Sequence, residues 1–162
     1  MSKTISSATN EAEYSRSGGG EFYYTVKDGK CIITNYMEAE LIIPSEIKGV
    51  PVTEIGDSAF AGCKGLIGVT IPDSVKVIGY GAFAGCERLI DINIPNSVEE
   101  IGEQTFWNCV ELIGVTIPDS VKGIGSGAFL GSEKLRSVFV PKSVEIVEGA
   151  FEGCPNIRLR RR

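Results

Sequence analysis

From Leu66 to Arg88 the chain reads LIGVTIPDSVKVIGYGAFAGCER, with its apolar residues in two short segments rather than one amphipathic run. Leu66, Val69 and Ile71 point one way from a short strand, with Gly68 and Thr70 on the other face, because successive strand side chains alternate. Pro72 has no amide hydrogen to continue the pairing. Asp73-Ser74 offers short polar side chains that bond nearby amides, so the chain turns there. Val75 and Ile78 begin a second apolar segment on an opposite wall, Gly79 permits the next bend, Ala82-Phe83 carries a ring inward, and Cys86 closes the unit.

The pattern recurs in phase. Leu66, Leu89, Leu112 and Leu135 are 23 residues apart, as are Pro72, Pro95, Pro118 and Pro141. Phe60, Phe83, Phe106, Phe129 and Phe151 keep the same step except for a last interval of 22. The turn recurs at Asn96-Ser97, Asp119-Ser120 and Lys142-Ser143, and Leu66 to Lys76 is identical to Leu112 to Lys122. A fixed period of this length predicts a solenoid, whose units bury their apolar faces only by stacking on one another. Leu41, Ile43 and Pro44 open the first coil. Pro44 to Phe60 spans 16 steps where Pro72 to Phe83 spans 11, and the surplus in SEIKGVPVTEIG reads as a loop on one rim.

The repeats predict the organisation of the whole chain. Residues 1–20 are polar, rich in small residues and end on three glycines, the composition of an unstructured leader or linker. Residues 21–40 contain two β-rich runs around Asp28-Gly29, predicting a hairpin of Phe22–Val26 against Cys31–Asn35 that caps the open end of the stack. Residues 41–157 form the solenoid of about five coils, the first one longer, and residues 158–162 form a basic edge. Counting by the repeat, Arg160 stands where Val138 stood and Arg162 where Val140 stood, so charge breaks the pattern and discourages addition of another strand.

Composition narrows the chemistry. The net charge of -5 argues against a nucleic-acid binder, which needs clustered Lys and Arg over much of its surface. No apolar run is long enough to cross a bilayer. No secretory signal begins the chain, so it reads either as a fragment or as cytoplasmic. There is no His, the commonest general base and metal ligand. Gly79-Tyr80-Gly81 with Gly85, and Gly125-Ser126-Gly127 with Gly131, lack the spacing of phosphate-cradling loops and recur with the coil, so they belong to its bends. No nucleophile elbow is present. These observations predict neither an enzyme nor a cofactor.

Two further columns bear on metals and disulfides. Cys63, Cys86, Cys109 and Cys154 share one repeat phase that also tolerates Ser132, with Cys31 outside it. Without a C-x-x-C pair they read as small buried thiols rather than a disulfide or zinc framework. Asp73, Asn96 and Asp119 present one carboxylate or amide per coil before Lys142 ends the row, which fits turn chemistry better than calcium.

The pattern L-x-x-[VI]-x-I-P-x-S-V-x-x-I-G-x-x-A-F-x-G-C-x-x-L, running from Leu41 to about Ile157, resembles the BspA-like, or Treponema pallidum-type, leucine-rich repeat. Ser132 for Cys, Lys142 for Asp or Asn, and Thr105 for Ala are its departures. The resemblance implies a leucine-rich repeat solenoid: a curved right-handed coil with a parallel β-sheet on its concave wall, short strands or helical turns elsewhere, and an N-terminal β-hairpin cap. It also implies a cell-surface or secreted protein with roles in adhesion to host matrix proteins such as fibronectin and fibrinogen.

On that wall the position after the first Leu is taken by Ile67, Ile90 and Ile113 before Arg136 ends the row, with Thr70, Asn93, Thr116 and Phe139 beside it. Exposed, these isoleucines form an apolar stripe for a protein partner; tucked under the strand edge, they complete the core. Trp107, the only tryptophan, follows core Phe106 and serves either as a second partner anchor or as a cover over Leu130. Two functions remain open, a non-enzymatic protein-binding adhesion module and a structural spacer without its own ligand.

Overall fold

The computed structural model describes the backbone of residues 13–17, 20–27 and 30–36 and the whole of residues 40–162. The N-terminal strands are β1 (Glu13–Ser17), β2 (Gly20–Lys27) and β3 (Lys30–Tyr36), followed by β4 (Glu40–Ile42), β5 (Glu46–Ile47) and β6 (Val50–Ile55). Thereafter each coil contributes one strand to each of two walls. The first wall receives β7 (Gly68–Thr70), β9 (Asp91–Asn93), β11 (Gly114–Thr116), β13 (Ser137–Val140) and β15 (Arg158–Arg161). The second receives β8 (Val77–Ile78), β10 (Glu100–Ile101), β12 (Gly123–Ile124) and β14 (Glu145–Ile146). The first is a six-stranded parallel sheet, β15-β13-β11-β9-β7-β4, and the second runs β1-β2-β3-β6-β8-β10-β12-β14 with β5 beside β6. Short strands, not helical turns, build the second wall, and no helix occurs among the described residues.

Leu66, Leu89, Leu112 and Leu135 are fully buried between the walls, with Val69, Ile92, Val115 and Val138 inward from the first and Ile55, Ile78, Ile101 and Ile124 from the second. Through this core runs a file of phenylalanines. The rings of Phe60, Phe83, Phe106, Phe129 and Phe151 stack at centroid distances of 5.0, 5.6, 5.1 and 5.1 Å, all within 18° of parallel. Aromatic pairs of this kind contribute about 0.5–1.5 kcal/mol each beyond the area they bury.

Each Pro-led turn closes by a backbone bond, as from Val98 N to Pro95 O (3.1 Å) and Val121 N to Pro118 O (3.2 Å). Of the turn serines, Ser120 reaches across coils rather than to a nearby amide, its Oγ donating to Val98 O at 2.6 Å, while the buried hydroxyls of Ser74 and Ser97 make no hydrogen bond among the described residues. Thr105, the departure from Ala, is buried and donates to Gly102 O at 2.8 Å.

Gly79 has a different role from the bend assigned to it. Its φ is not positive; the left-handed residues are Gly81 (φ 56°) and Gly85 (φ 70°), with Gln104 (φ 53°) and Asn108 (φ 55°) in the same places one coil later. Gly79, Gly102 and Gly125 instead lie where backbones of adjacent coils meet. A Cβ at Gly102 would stand 2.8 Å from Gly79 C, and one at Gly125 would stand 2.6 Å from Glu103 N.

Three other expectations change. The extra residues of the first coil form a β5–β6 hairpin, not a rim loop, turning at Lys48 (φ 51°) and Gly49 (φ 77°) and burying Ile47 and Val52 in the core. The stretch read as an unstructured leader contains β1, whose backbone pairs antiparallel with β2 and so occupies that strand's free edge. In the last coil the register is Val138↔Leu159 and Val140↔Arg161, not Arg160 and Arg162. One residue earlier in register, apolar Leu159 takes the inward column while Arg158 and Arg160 face outward; a slip of one residue would exchange the faces. The hairpin pairing of β2 with β3 matches expectation, and β3 lies parallel to β6, continuing the second wall. Residues 28–29, expected to make its turn, and residues 1–12 of the leader lie outside the described residues.

The cysteine column is a hydrogen-bond column. Cys86 Sγ donates to Phe60 O (3.1 Å), Cys109 Sγ to Phe83 O (3.2 Å) and Cys154 Sγ to Phe129 O (3.1 Å). Ser132 Oγ does the same to Phe106 O at 2.9 Å, which explains the exchange. None of the four cysteines of the column is joined in a disulfide. Burial pushes the Cys109 thiol up from its ordinary 9.0 to about 12 and raises that of Cys86 as well.

Two predictions follow from these columns. Gly102→Ala should lower stability by about 1–3 kcal/mol in urea denaturation, since the Gly79–Tyr80 backbone of the preceding coil resists the methyl group. Gly123→Ala, whose Cβ meets nothing closer than 3.8 Å, should stay within about 1 kcal/mol of the parent. For the thiols, a raised folded pKa means that the folded chain keeps a proton that the unfolded chain loses above pH 9. The stabilisation is therefore complete below that pH and declines towards pH 12. Between pH 8 and pH 10.5 the parent should lose about 1–2 kcal/mol more than Cys109→Ser, whose hydroxyl keeps the bond without titrating. Equal losses would mean that solvent reaches the thiol.

Candidate functional site

The short strands of the first wall turn every second side chain outward, and parallel register aligns those positions into rows. One row is Ile42, Thr70, Asn93, Thr116, Phe139 and Arg160. The isoleucine row lies just ahead of the strands, held in step by backbone bonds from Ile90 N to Ile67 O (3.1 Å), Ile113 N to Ile90 O (3.1 Å) and Arg136 N to Ile113 O (2.9 Å); Arg158, which donates to Arg136 O (2.8 Å), stands opposite Ser137. The row divides. Ile90 is 44% exposed and Ile113 52%, while Ile67 is half-buried. Ile90 and Ile113 are thus surface residues rather than core, with Thr70, Asn93, Thr116 and Arg136 also exposed.

Ile90, Asn93, Ile113, Thr116 and Phe139 line a groove of about 510 Å³ across β9, β11 and β13. Gly114 leaves space in its floor; a Cβ there would stand 3.2 Å from Ser137 O. At the β15 end the lining changes from apolar to cationic. Arg136, Arg158 and Arg160, with Ser137 and Asn156, surround a second hollow of about 500 Å³. Arg160 joins the two, its guanidinium carbon 5.6 Å from the centre of the Phe139 ring, within cation–π range.

Trp107 is 45% exposed but does not line this groove, because it belongs to the Phe-bearing turns. Asp119, from the acidic and amide row, lies 3.4 Å from Arg162. Among the described residues no group of three His, Cys, Asp or Glu side chains is placed to hold a metal ion, and no helix is long and apolar enough to cross a membrane.

Sequence reasoning missed two parts of this surface. Ile42, 60% exposed, continues the Thr70 row onto β4, a position that counting from Leu41 would have found. Arg158 and Arg160 join Arg136 only because the last strand takes the register that it does. The second wall also holds a groove, of about 470 Å³, between Tyr80 and Val147 and floored by Gly79, Gly102 and Gly125.

A model of the BspA type leucine rich repeat region matches residues 39–158 in six copies. The crystal structure of a leucine rich repeat protein of T. pallidum superposes with a TM-score of 0.82 at 36% identity, covering 85% of this chain and 67% of that one. A leucine rich cell surface protein of Faecalibacterium prausnitzii superposes with a TM-score of 0.79 at 31% identity, but this chain spans only 38% of its length. The pneumococcal vaccine antigen PcpA shares the fold, with a TM-score of 0.69 at 22% identity over 92% of this chain and 37% of that one. No curated protein matches the sequence. Leucine-rich repeat arrays are generally protein-interaction scaffolds that bind through their extended faces, and they are not typically enzymes.

The division between exposed and inward isoleucines is testable by stability alone. Ile90→Glu and Ile113→Glu should each stay within about 1 kcal/mol of the parent in urea denaturation, as surface substitutions do. Ile92→Glu, which places a carboxylate in the core, should abolish cooperative unfolding.

Proposed function

From the premise that this chain belongs to the BspA-type leucine-rich repeat family, we propose that its six-stranded wall is a non-enzymatic protein-binding surface and that the chain acts as a cell-surface or secreted adhesion module. The observation that carries this reading is the exposure of Ile90, Ile113 and Phe139 along one groove of about 510 Å³. Solvent-facing aliphatics and an aromatic on a rigid wall cost little to cover, because their backbone is already paired and their neighbours are fixed. Covering them recovers the hydrophobic stabilisation that exposure withholds, about 25 cal/mol per Å².

The neighbours support the location. One is described as a cell surface protein and another as a vaccine antigen of a bacterium. Host matrix glycoproteins such as fibronectin and fibrinogen are the partner class proposed here, and the isoleucine row with Asn93, Thr116, Phe139 and Arg136 is the contact surface. Thr70 extends it towards β4, and Ile67 contributes from the side.

The test is surface binding to immobilised fibronectin, fibrinogen and other matrix glycoproteins at physiological salt, beside a folded Ile90→Glu, Ile113→Glu double variant. Saturable binding that weakens at least about tenfold in the double variant is expected, the loss of two buried aliphatic contacts. No binding by the parent would overturn adhesion in favour of a spacer. Equal binding by parent and variant would move the site off this wall.

A further inference from the structure

The outward charges of the two walls are arranged by different rules. On the second wall one row reads Glu54, Val77, Glu100, Gly123, Glu145, so that no carboxylate stands beside another in register. The arrangement avoids repulsion between like charges on adjacent strands. Where unlike charges face each other one coil apart they pair: Lys64 with Glu87 at 2.8 Å, Lys122 with Glu99 at 2.7 Å and Lys134 with Glu111 at 2.8 Å.

The basic end of the first wall gathers like charges instead. Arg136 immediately precedes β13 and its carbonyl accepts the bond from Arg158 N (2.8 Å), while Arg158 itself stands opposite Ser137 in register. Arg160 lies two residues further along the outward face of β15, and all three line one hollow of about 500 Å³. None of the three forms an ion pair among the described residues. The other two arginines of this segment are differently placed. Arg161 Nη1 donates to Pro141 O (3.0 Å) and Val144 O (2.9 Å), and Arg162 Nη2 donates to Ile117 O (3.1 Å) and lies near Asp119. Three exposed, unpaired guanidiniums are thus held together in a chain whose net charge is -5, beside an apolar groove.

We infer that this end of the wall binds an acidic, extended peptide segment of the partner, with two carboxylates on Arg136, Arg158 and Arg160 and neighbouring apolar side chains on Ile113, Phe139 and Ile90. The inference rests on the reading of the first wall as the binding surface and names the chemistry of its partner. The guanidinium fork takes carboxylates bidentately. Three strand spacings from β9 to β15 amount to about 14 Å, which four or five extended residues cover. A sulfated glycan would satisfy the arginines but has no side chain for the apolar groove, whereas a peptide with acidic and then apolar residues on one face fills both.

The test uses the full chain and fluorescein-labelled heptapeptides, Glu-Ser-Glu-Ser-Leu-Ser-Leu and the same residues in reverse order, followed by anisotropy at low and physiological salt. One orientation should bind saturably, weaken at least about tenfold when both Glu are Gln, and weaken as much in the Arg136→Gln, Arg158→Gln double variant. Those side chains are exposed and form no hydrogen bond or ion pair among the described residues, so the variant should unfold in urea where the parent does. Binding should also fall with added salt, as exposed charge contacts do. Three outcomes would overturn the inference: no binding of either peptide, equal binding of the Gln peptide, or displacement of the Glu peptide by a heparin octasaccharide that binds more tightly. If the arginine variant still holds matrix glycoproteins in an Ile90- and Ile113-dependent manner, the wall remains the binding surface and only the acidic-peptide inference falls.

Discussion

Parallel stacking of coils at one strand spacing, about 4.8 Å, governs the rest of this structure. At that distance every residue meets its own equivalent from the next coil, and only side chains that tolerate such a neighbour can occupy a column. Phenylalanine does so as an offset ring, at 5.0 to 5.6 Å. Glycine does so where two backbones leave no room for a Cβ, and a thiol or hydroxyl does so by donating to the carbonyl one coil back. Charges do so as opposite pairs such as Lys122 with Glu99. Being exposed, each such pair contributes little energy; their effect is to avoid repulsion.

That constraint weakens on the outward face, and there the coils differ. The row after the first Leu passes from Ile67, Ile90 and Ile113 to Arg136, and the row beside it from Thr and Asn to Phe139 and Arg160. Stacking alone would not gather Arg136, Arg158 and Arg160 around one hollow, since like charges held close raise one another's cost. The opposite wall shows that this chain can separate like charges by a coil when nothing else decides their placement. The same contrast explains why the apolar and cationic parts of the first wall form one continuous surface: both consist of residues that the core neither requires nor excludes.

Much of this was legible because the period projects core positions directly onto the sequence. The buried leucines, the phenylalanine file, the shared cysteine slot and the β2–β3 hairpin all follow from counting and alternation. What escaped depended on distances that counting does not supply. Gly79 looked like a bend because glycine permits positive φ, yet what it provides is the absence of a Cβ against Gly56 and Asp57. The surplus of the first coil looked like a loop because Gly49 and Pro51 interrupt it, yet Ile47 and Val52 have a core to enter and fold it into a hairpin. In the last coil counting by the repeat set Arg160 opposite Val138, whereas the pairing sets Leu159 there and Arg161 opposite Val140, a shift that the period alone does not supply.

The two identical stretches, Leu66 to Lys76 and Leu112 to Lys122, separate local sequence from position in the stack. Their inward residues behave alike, with Leu66 and Leu112 both fully buried. Their outward residues do not. Ile67 is half-buried beside Glu87 and Arg88, while Ile113 is 52% exposed in the groove. A Cβ at Gly68 would meet nothing within 4 Å, whereas one at Gly114 would press on Ser137 O. Identical residues thus make one coil a flank and the other part of the groove proposed as a site, and the difference comes from which coil lies next to each. In such an array the fold is written within the repeat, but the outward surface is written in the order of the repeats. Duplicating or moving a coil can therefore preserve the core while creating a new contact surface.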